Sequence, residues 1–222
     1  MKTFARPTLT LTSPTWPISP NTDVYAAKYV PLGYRTASPD EINERRTARE
    51  LKTPTEAAIQ IAAPAMAALI DGPCWLVPVP ASNGSLTANL ALARAIAELV
   101  PRARVKCAVG RVHPVESSIH RWWLGLPRLT IDEHAMVRTT GPMEPLPVHF
   151  VDNVITSGTT VAACRRALGW GTGLAYADAS KARNAHRFST TKIKFRSPPG
   201  SWPDRDLSPM EVLRDRPASI RV

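Results

Sequence analysis

The amino-acid sequence predicts an α/β fold with a mainly parallel sheet flanked by helices. Apolar runs in the middle of the chain are separated by helical segments at α/β spacing. Their order is helix, strand, helix, strand, long loop, strand, helix, strand, which implies right-handed crossovers between parallel strands. A chain of 222 residues with 44% hydrophobic residues can bury one sizeable core. We therefore expect one α/β domain with extensions.

The first core helix is predicted to begin in residues 53–56, Thr-Pro-Thr-Glu. This segment fits a capping box with proline at the first helical position, and residues 57–70 after it are rich in alanine and other apolar side chains. Pro64 lies inside the run and should kink or split the helix, because proline removes a backbone donor and clashes with the preceding turn. Residues 71–73, Asp-Gly-Pro, then end the helix.

Two strands and another helix are predicted next. Residues 74–79 form a strand that enters a loop at residues 80–85. Residues 105–109 form the other strand. Between the two strands, apolar side chains recur every three or four residues, at Leu86, Leu90, Ala93 and Ala97, which predicts a helix. This helix ends before Pro101.

Residues 110–145 are polar and irregular. A stretch of this length inside a compact domain is typical of a functional loop or lid. Its three histidines match no zinc-binding spacing. The side chains of interest in this loop are Arg111, His113, Glu116, Ser117, Ser118, His120, Arg121, Trp122, Trp123, Arg128, His134 and Arg138.

Residues 148–160 carry the strongest functional signal. Four mostly apolar residues, 148–151, predict a buried strand that only His149 interrupts, and Asp152 and Asn153 follow at its carboxyl end. A short loop of threonine, serine and glycine, residues 156–160, then opens a helix. Ligands bind at the carboxyl ends of strands in an open parallel sheet, so we expect the binding site here.

The residue types in this segment suit a sugar phosphate. Gly158 allows a tight turn and a close approach to an anion, and the helix that begins near Thr160 directs unpaired N–H groups to the same place. Asp152 can accept hydrogen bonds from sugar hydroxyls beside the phosphate. The segment thus predicts a ribose 5-phosphate site, with hydroxyl donors supplied by Thr156, Ser157, Thr159 and Thr160.

The segment resembles the phosphoribosyl-pyrophosphate (PRPP) motif of the type I phosphoribosyltransferases, and the ComF-like branch in particular. The likeness covers about residues 46–180 and includes Arg-Glu-Leu-Lys at 49–52, Val-Pro-Val-Pro at 77–80 and Arg-Val-His-Pro at 111–114. It implies that Asp152 holds the ribose hydroxyls and that residues 156–160 bind the 5-phosphate. Asn153 departs from the family, because it stands where a second acid is usual and brings no negative charge.

The resemblance also implies a reaction and further site residues. PRPP would lose pyrophosphate to a nitrogen acceptor such as a nucleobase, with Mg²⁺ bound to the substrate and Asp152 as the candidate protein ligand. Arg111 and Arg121 are the candidate lid cations, since guanidinium groups bind phosphates bidentately. Asp178 is the acceptor-side candidate, although it could equally cap the segment after it. The pyrophosphate loop would consist of Ala81, Ser82, Asn83, Gly84 and Ser85.

Net charge keeps a second hypothesis open. The formal charge is +10, and part of the excess lies in residues 183–222. A basic surface suits a pyrophosphate substrate, but it also suits nucleic acid. The alternative is therefore a non-catalytic protein that senses PRPP or a nucleotide and binds nucleic acid through the basic tail. An α/β protein in which the motif occurs by chance is the third hypothesis.

Composition also predicts the setting and organisation of the chain. Cys74, Cys107 and Cys164 lie far apart without CxxC pairing, which predicts buried thiols in a reducing compartment. With no signal peptide and no membrane-spanning apolar run, we expect a soluble cytoplasmic protein. We divide the chain into a hood-like extension (1–45), a phosphoribosyltransferase-like core (46–182) and a basic tail (183–222). The acceptor and the oligomeric state, including a homodimer, stay open.

Overall fold

A five-stranded parallel sheet forms the centre of the protein. The computed structural model describes residues 23–29, 38–117, 120–121 and 124–179. Two further strands, Val109–Arg111 and Met136–Arg138, pair with each other in an antiparallel ribbon. In chain order the strands are β1 (Val24–Lys28), β2 (Trp75–Pro78), β3 (Arg104–Val105), β4 (Val109–Arg111), β5 (Met136–Arg138), β6 (Val148–Ile155) and β7 (Thr172–Asp178).

Helices cover both faces of the sheet. Neighbouring residues of β6 point to opposite faces, and they belong to different core clusters. Val151 packs in the cluster that contains residues from the first three helices, whereas Phe150 packs with Val161 and Cys164 of the fourth. The predicted fold class, α/β with a mainly parallel sheet flanked by helices, is confirmed. Among the described residues, the helices with defined bounds are α1 (Pro39–Glu50), α2 (Glu56–Ala67), α3 (Thr87–Leu99) and α4 (Thr159–Leu168), and a 3-10 turn covers Asp132–His134. His120 and Arg121 are also helical.

The strand order places a topological switch point between β2 and β6. Across the sheet the order is β3-β2-β6-β7-β1. From β2 the chain continues through α3 to β3 on one side, and from β6 it continues through α4 to β7 on the other. Adjacent strands whose connections leave in opposite directions open a crevice at their carboxyl ends, where ligands bind in such sheets.

Helix α2 differs from its prediction at its start and at its proline. The cap is Thr55, whose hydroxyl accepts a hydrogen bond from the Ala58 amide at 3.2 Å, so the predicted start at Thr53 was two residues early. Pro64 does not split the helix, which continues to Ala67. Proline removes one helical bond, from its own N–H to the Gln60 carbonyl, and only three helical residues follow Pro64.

The N-terminal segment contributes to the sheet. Strand β1 pairs with β7 in parallel, and α1 begins at a capping box in which Ser38 and Glu41 exchange hydrogen bonds of 3.2 and 2.8 Å. The boundary that we expected at residue 45 therefore falls inside α1. Sequence reasoning did not identify this helix, although Ser38-Pro39-Asp40-Glu41 carries the capping signal.

The predicted strand at 105–109 is two strands. Strand β3 ends at Val105 beside β2, and β4 begins at Val109 to pair with β5, with a bend between them. The bend leaves Cys107 exposed, so the expectation of a buried thiol was wrong for this cysteine, while Cys74 and Cys164 are buried. The ribbon of β4 and β5 also gives regular structure to part of the loop at 110–145.

Some expectations fall on other parts of the chain. The basic tail, Trp122 and Trp123, and most of the hood-like segment lie outside the described residues. In the part of the chain that the structure describes, no helix is long and apolar enough to cross a membrane.

Candidate functional site

Asp152 lies at the switch point, within β6. We expected it after the strand, but β6 continues to Ile155 because its pairing with β7 extends as far as Asp178. On the other side β6 pairs with β2, and the Val79 amide donates to the Val151 carbonyl at 3.0 Å. The carboxyl ends of β2 and β6 therefore lie next to each other.

The Asp152 carboxylate is held by two donors and sits in a desolvated place. Its Oδ1 accepts hydrogen bonds from the Asn153 amide at 2.8 Å and from Nδ2 of Asn89 at 3.3 Å. Burial raises the pKa of Asp152 to about 6, because it disfavours the charged form. The two hydrogen bonds and the positive charges of Lys52 and Arg111 act in the opposite direction and are the smaller effect. A shifted carboxyl at a switch point is typical of a functional group.

Asn89 is a site residue that sequence reasoning missed. It lies on α3 and is 8% exposed, and its amide donates to the Val79 carbonyl at 2.8 Å as well as to Asp152. Its signal in the sequence is a polar residue on the helix face that Leu92, Ala93 and Ile96 make apolar. An amide at such a position must find partners, because an unpaired buried polar group is costly.

The side chain of Asn153 bonds the backbone of helix α1. Its side-chain amide donates to the Ala48 carbonyl of α1 at 3.1 Å. One of its two N–H donors is therefore used within the fold, and the expected contact with a ribose hydroxyl or a metal-bound water would use its side-chain oxygen. The second position of the motif therefore ties β6 to α1.

The loop at 156–160 has the features of an anion cradle. Gly158 adopts a left-handed conformation, with φ of 74°, and α4 begins at Thr159. The hydroxyls of Ser157 and Thr159 lie 2.8 Å apart. Among the described residues, no acceptor contacts the amides of Gly158, Thr160 and Val161. These amides stand at the positive end of a helix dipole, where an anion is stabilised.

A second carboxylate lies beside the cradle. A Cβ atom at Gly158 would be 3.6 Å from Oδ2 of Asp23. The other oxygen of Asp23 accepts hydrogen bonds from Nη2 of Arg165 at 3.0 Å and from the Gly173 amide at 2.8 Å. Arg165 therefore compensates a negative charge close to the cradle. Asp23 precedes β1, in a segment from which sequence reasoning predicted no site residue.

The loop at 81–85 is closed by its own hydrogen bonds. The Ala81 amide donates to the Ser85 carbonyl and the Gly84 amide to the Ala81 carbonyl, both at 2.9 Å, and Gly84 has φ of 86°. The Asn83 side chain accepts from the Ser85 amide at 3.0 Å. In the described part of the chain, the amides of Ser82 and Asn83 donate no hydrogen bond. Two successive amides of this kind can bind an anion.

Residues 111–115 fasten the loop at 81–85 through two hydrogen bonds. Nε of Arg111 donates to the Ala81 carbonyl at 2.8 Å, and the Val115 amide donates to the Ser82 carbonyl at 2.8 Å. Arg111 also donates to the His134 carbonyl. Burial lowers the pKa of Arg111, while the nearby Asp152 and Cys164 raise it. Arg111 thus contacts the predicted pyrophosphate loop through the backbone oxygen of Ala81.

Arg121 and His134 make no hydrogen bond to Asp152 or to the two loops within the described part of the chain. Arg121 makes its hydrogen bonds within its own loop, to the Pro127 carbonyl at 2.7 Å and to Glu116 at 3.3 Å. Asp178 is buried at the carboxyl end of β7, beside Ile155 of β6 in the sheet register. His134 is buried, and its pKa is lowered by burial and by the neighbouring Arg111.

A separate groove lies outside the candidate site. It is lined by residues that follow β5 together with the indole of Trp170, over which the guanidinium of Arg138 lies at 5.7 Å. Arg138 also donates to the carbonyls of Thr140 and Gly141. The groove contains none of the residues predicted from the motif. It therefore does not belong to the candidate site.

The donor groups suit a metal ion only together with a substrate. The described residues contain no group of three or more histidine, cysteine, aspartate or glutamate side chains that could hold a metal ion. Asp152 offers one carboxylate, and Mg²⁺ commonly binds proteins through one or two carboxylates and the phosphates of its substrate. The site residues therefore fit Mg²⁺ only when it arrives with a polyphosphate.

Comparisons with protein-family models, with curated proteins and with solved structures find no match to this chain.

Proposed function

We propose that this protein is a phosphoribosyltransferase that binds PRPP at the switch point and transfers its phosphoribosyl group to a nitrogen acceptor. One observation carries the proposal: the loops that follow β2 and β6 leave neighbouring strand ends, and the carboxylate of Asp152, on β6, is joined through Asn89 to the Val79 carbonyl after β2. PRPP has a phosphate at one end, a pyrophosphate at the other and ribose hydroxyls between them. The arrangement matches that order of groups.

Each part of the site has a role in this proposal. The amides of Gly158, Thr160 and Val161 bind the 5-phosphate, and Asp152 accepts hydrogen bonds from the ribose hydroxyls. The amides of Ser82 and Asn83 bind the leaving pyrophosphate, whose negative charge grows as the bond to the sugar breaks. Mg²⁺ would offset part of that charge, with Asp152 as its protein contact.

Arg111 and Lys52 supply positive charge near Asp152. Both charges act on Asp152, which indicates that they lie close to the site, and Arg111 fastens the pyrophosphate loop. A positive surround favours the capture of a polyanionic substrate. Asp178, one strand away, stays the candidate for contact with the acceptor, and Arg121 stays a candidate lid cation.

Isothermal titration with PRPP and Mg²⁺ tests the proposal. Wild-type protein should bind, and Asp152→Ala should bind at least about tenfold more weakly, because hydrogen bonds to a charged group contribute about 1.5–3 kcal/mol. Glu144→Gln is the matched control, since Glu144 is an exposed carboxylate that pairs with Arg104 beside the start of β2. Absence of binding by folded wild-type protein would overturn the proposal.

A non-catalytic PRPP or nucleotide sensor is the second candidate. The Asn153 contact with Ala48 favours it, because the motif keeps one carboxylate and uses the other position to join two elements. Release of pyrophosphate with a panel of nucleobases supports the enzyme. Salt-sensitive retention of DNA or RNA that disappears on deletion of residues 183–222, without any pyrophosphate release, supports the sensor.

A further inference from the structure

The side chain of Asn89 donates hydrogen bonds to two acceptors at the switch point. It is the third residue of α3, it is 92% buried, and the helix face around it is otherwise apolar. Its Nδ2 donates to the Val79 carbonyl at 2.8 Å and to Oδ1 of Asp152 at 3.3 Å. An amide group has two N–H donors, and both are used. Asn89 therefore bridges the end of β2 and the carboxylate on β6.

This bridge determines which oxygen of Asp152 is available. Oδ1 accepts from Asn89 and also from the Asn153 amide at 2.8 Å. Within the described residues Oδ2 accepts no hydrogen bond. A carboxylate held at one oxygen by two donors from different directions cannot rotate freely, so the other oxygen is presented in a fixed direction.

The bridge also links Asp152 to the predicted pyrophosphate loop. Val79 lies two residues before Ala81, and its amide is bonded to β6 through the Val151 carbonyl at 3.0 Å. Its carbonyl is bonded to Asn89. The Val79 carbonyl, two residues before the loop, and the Asp152 carboxylate are thus held by the same side chain.

We propose that Asn89 is a positioning residue that sets the orientation of Asp152 for recognition of sugar hydroxyls. This inference rests on the proposed function. Asn89 does not touch the ligand. It acts by occupying Oδ1 and leaving Oδ2 for a hydroxyl of a ribose 5-phosphate group, while the phosphate is bound separately by the loop at 156–160. Loss of Asn89 therefore reduces discrimination between sugars and leaves phosphate binding unchanged.

Titration with ribose 5-phosphate and 2-deoxyribose 5-phosphate tests this role. Wild-type protein should prefer the ribose compound, and Asn89→Leu should lose about tenfold of that preference, the scale of one hydrogen bond to a charged group. Affinity for inorganic phosphate should change less than about twofold, since phosphate contacts are separate. Thr47→Val is the control, because Thr47 is a buried polar residue of α1 that bonds Tyr176.

A double-mutant cycle separates positioning from a general loss of stability. In an Asp152→Ala background, Asn89→Leu should have no further effect on sugar preference, whereas a purely structural role would give additive effects. Asn89→Ser, which keeps one donor, replaces Asn89→Leu if that variant does not fold. Full sugar preference in folded Asn89→Leu would overturn the positioning role alone. Wild-type protein without any preference would overturn the proposed ribose site and this inference together.

Discussion

The side-chain amide of Asn153 donates a hydrogen bond to the Ala48 carbonyl, 3.1 Å away, and so joins strand β6 to the last turn of helix α1. The last four carbonyls of a helix have no partner within the helix. Leu51, Lys52 and Thr53 donate to other carbonyls of this turn, so among the described residues Asn153 is the donor that satisfies Ala48. An ionised carboxylate at this position could not donate.

Asn153→Asp, which introduces the acid that is usual at this position of the motif in type I phosphoribosyltransferases, should therefore destabilise the protein. We expect a loss of about 1–3 kcal/mol in the free energy of unfolding at pH 7.5, because the introduced carboxylate faces a carbonyl oxygen and adjoins Asp152. Urea denaturation measures it. Asn153→Ala, which removes the donor without adding charge, should lose less. An Asn153→Asp protein as stable as wild type would contradict this account.

Asp152→Asn should stabilise the protein at neutral pH. The pKa of Asp152 rises from 3.8 to about 6 on folding, so the folded state binds the proton more tightly and stability falls as pH rises through this window. Above pH 7 the cost approaches about 3 kcal/mol, and asparagine avoids it. The difference between variant and wild type should disappear near pH 4.

Chemical denaturation of both proteins at pH 4, 5.5 and 7.5 checks this expectation. The comparison at each pH cancels the contributions of the other titrating groups. Weaker binding of PRPP by the more stable variant would identify Asp152 as a functional residue that costs stability. A variant that is less stable than wild type at pH 7.5 would show that burial of the charged Asp152 carboxylate does not lower the stability of the wild-type protein.

Gly158→Ala should weaken both folding and phosphate binding. A residue with a side chain pays about 1–2 kcal/mol at the φ of 74° that Gly158 adopts, and relaxation of the loop would turn the cradle amides away from a phosphate. Gly72→Ala is the matched control. Gly72 has φ of 85° in open space after α2, so it has the same backbone cost without a ligand nearby.

Thermal unfolding and titration with PRPP separate the two effects. Both variants should lose similar stability, and only Gly158→Ala should lose affinity. Equal affinities for the two variants would exclude a role for the loop at 156–160 in binding.

Arg111→Met should cost more than Arg121→Met. Arg111 is half-buried and its guanidinium bonds the carbonyls of Ala81 and His134. Its removal loses both hydrogen bonds and leaves the His134 carbonyl without its donor, which should lower the free energy of unfolding by about 2–3 kcal/mol. Arg121 bonds one carbonyl, that of Pro127, and pairs with a partly exposed Glu116, and such pairs contribute about 0–1 kcal/mol. Its removal therefore loses one carbonyl bond, against two for Arg111.

Urea denaturation gives the two stabilities, and titration with pyrophosphate gives the two affinities. Arg111→Met should also bind pyrophosphate more weakly, because the loop at 81–85 loses one of its two fastenings to residues 111–115. If Arg121→Met had the larger effect on affinity, the lid interpretation of Arg121 would gain support over the fastening role of Arg111.

Local patterns were sufficient to predict the elements around the motif. The four residues before Asp152 are apolar enough to indicate a strand, and Gly158 with its neighbouring hydroxyls indicates a turn into a helix. Helix starts were less certain. Thr53 and Thr55 both carry a hydroxyl before a glutamate or an alanine-rich run, and only the tertiary structure selects between them.

Side-chain partners that are far apart in the sequence could not be predicted. Asn89 and Asp152 are 63 residues apart, and Asn153 and Ala48 are 105 apart. Asp23 and Arg165 are 142 residues apart. No periodicity or short motif carries information about such pairs, because they form only when helices dock on the sheet.

The sequence by itself determined the alternation of strands and helices and the glycine turn into a helix at 156–160, since both depend on hydrophobic period and local backbone preference. Tertiary structure alone decided that β2 and β6 are neighbours, that β1 joins the sheet, and that Asn89 holds one oxygen of Asp152. The reason is physical. Strand order and long-range hydrogen bonds are properties of how the elements pack, and each element by itself is compatible with several packings.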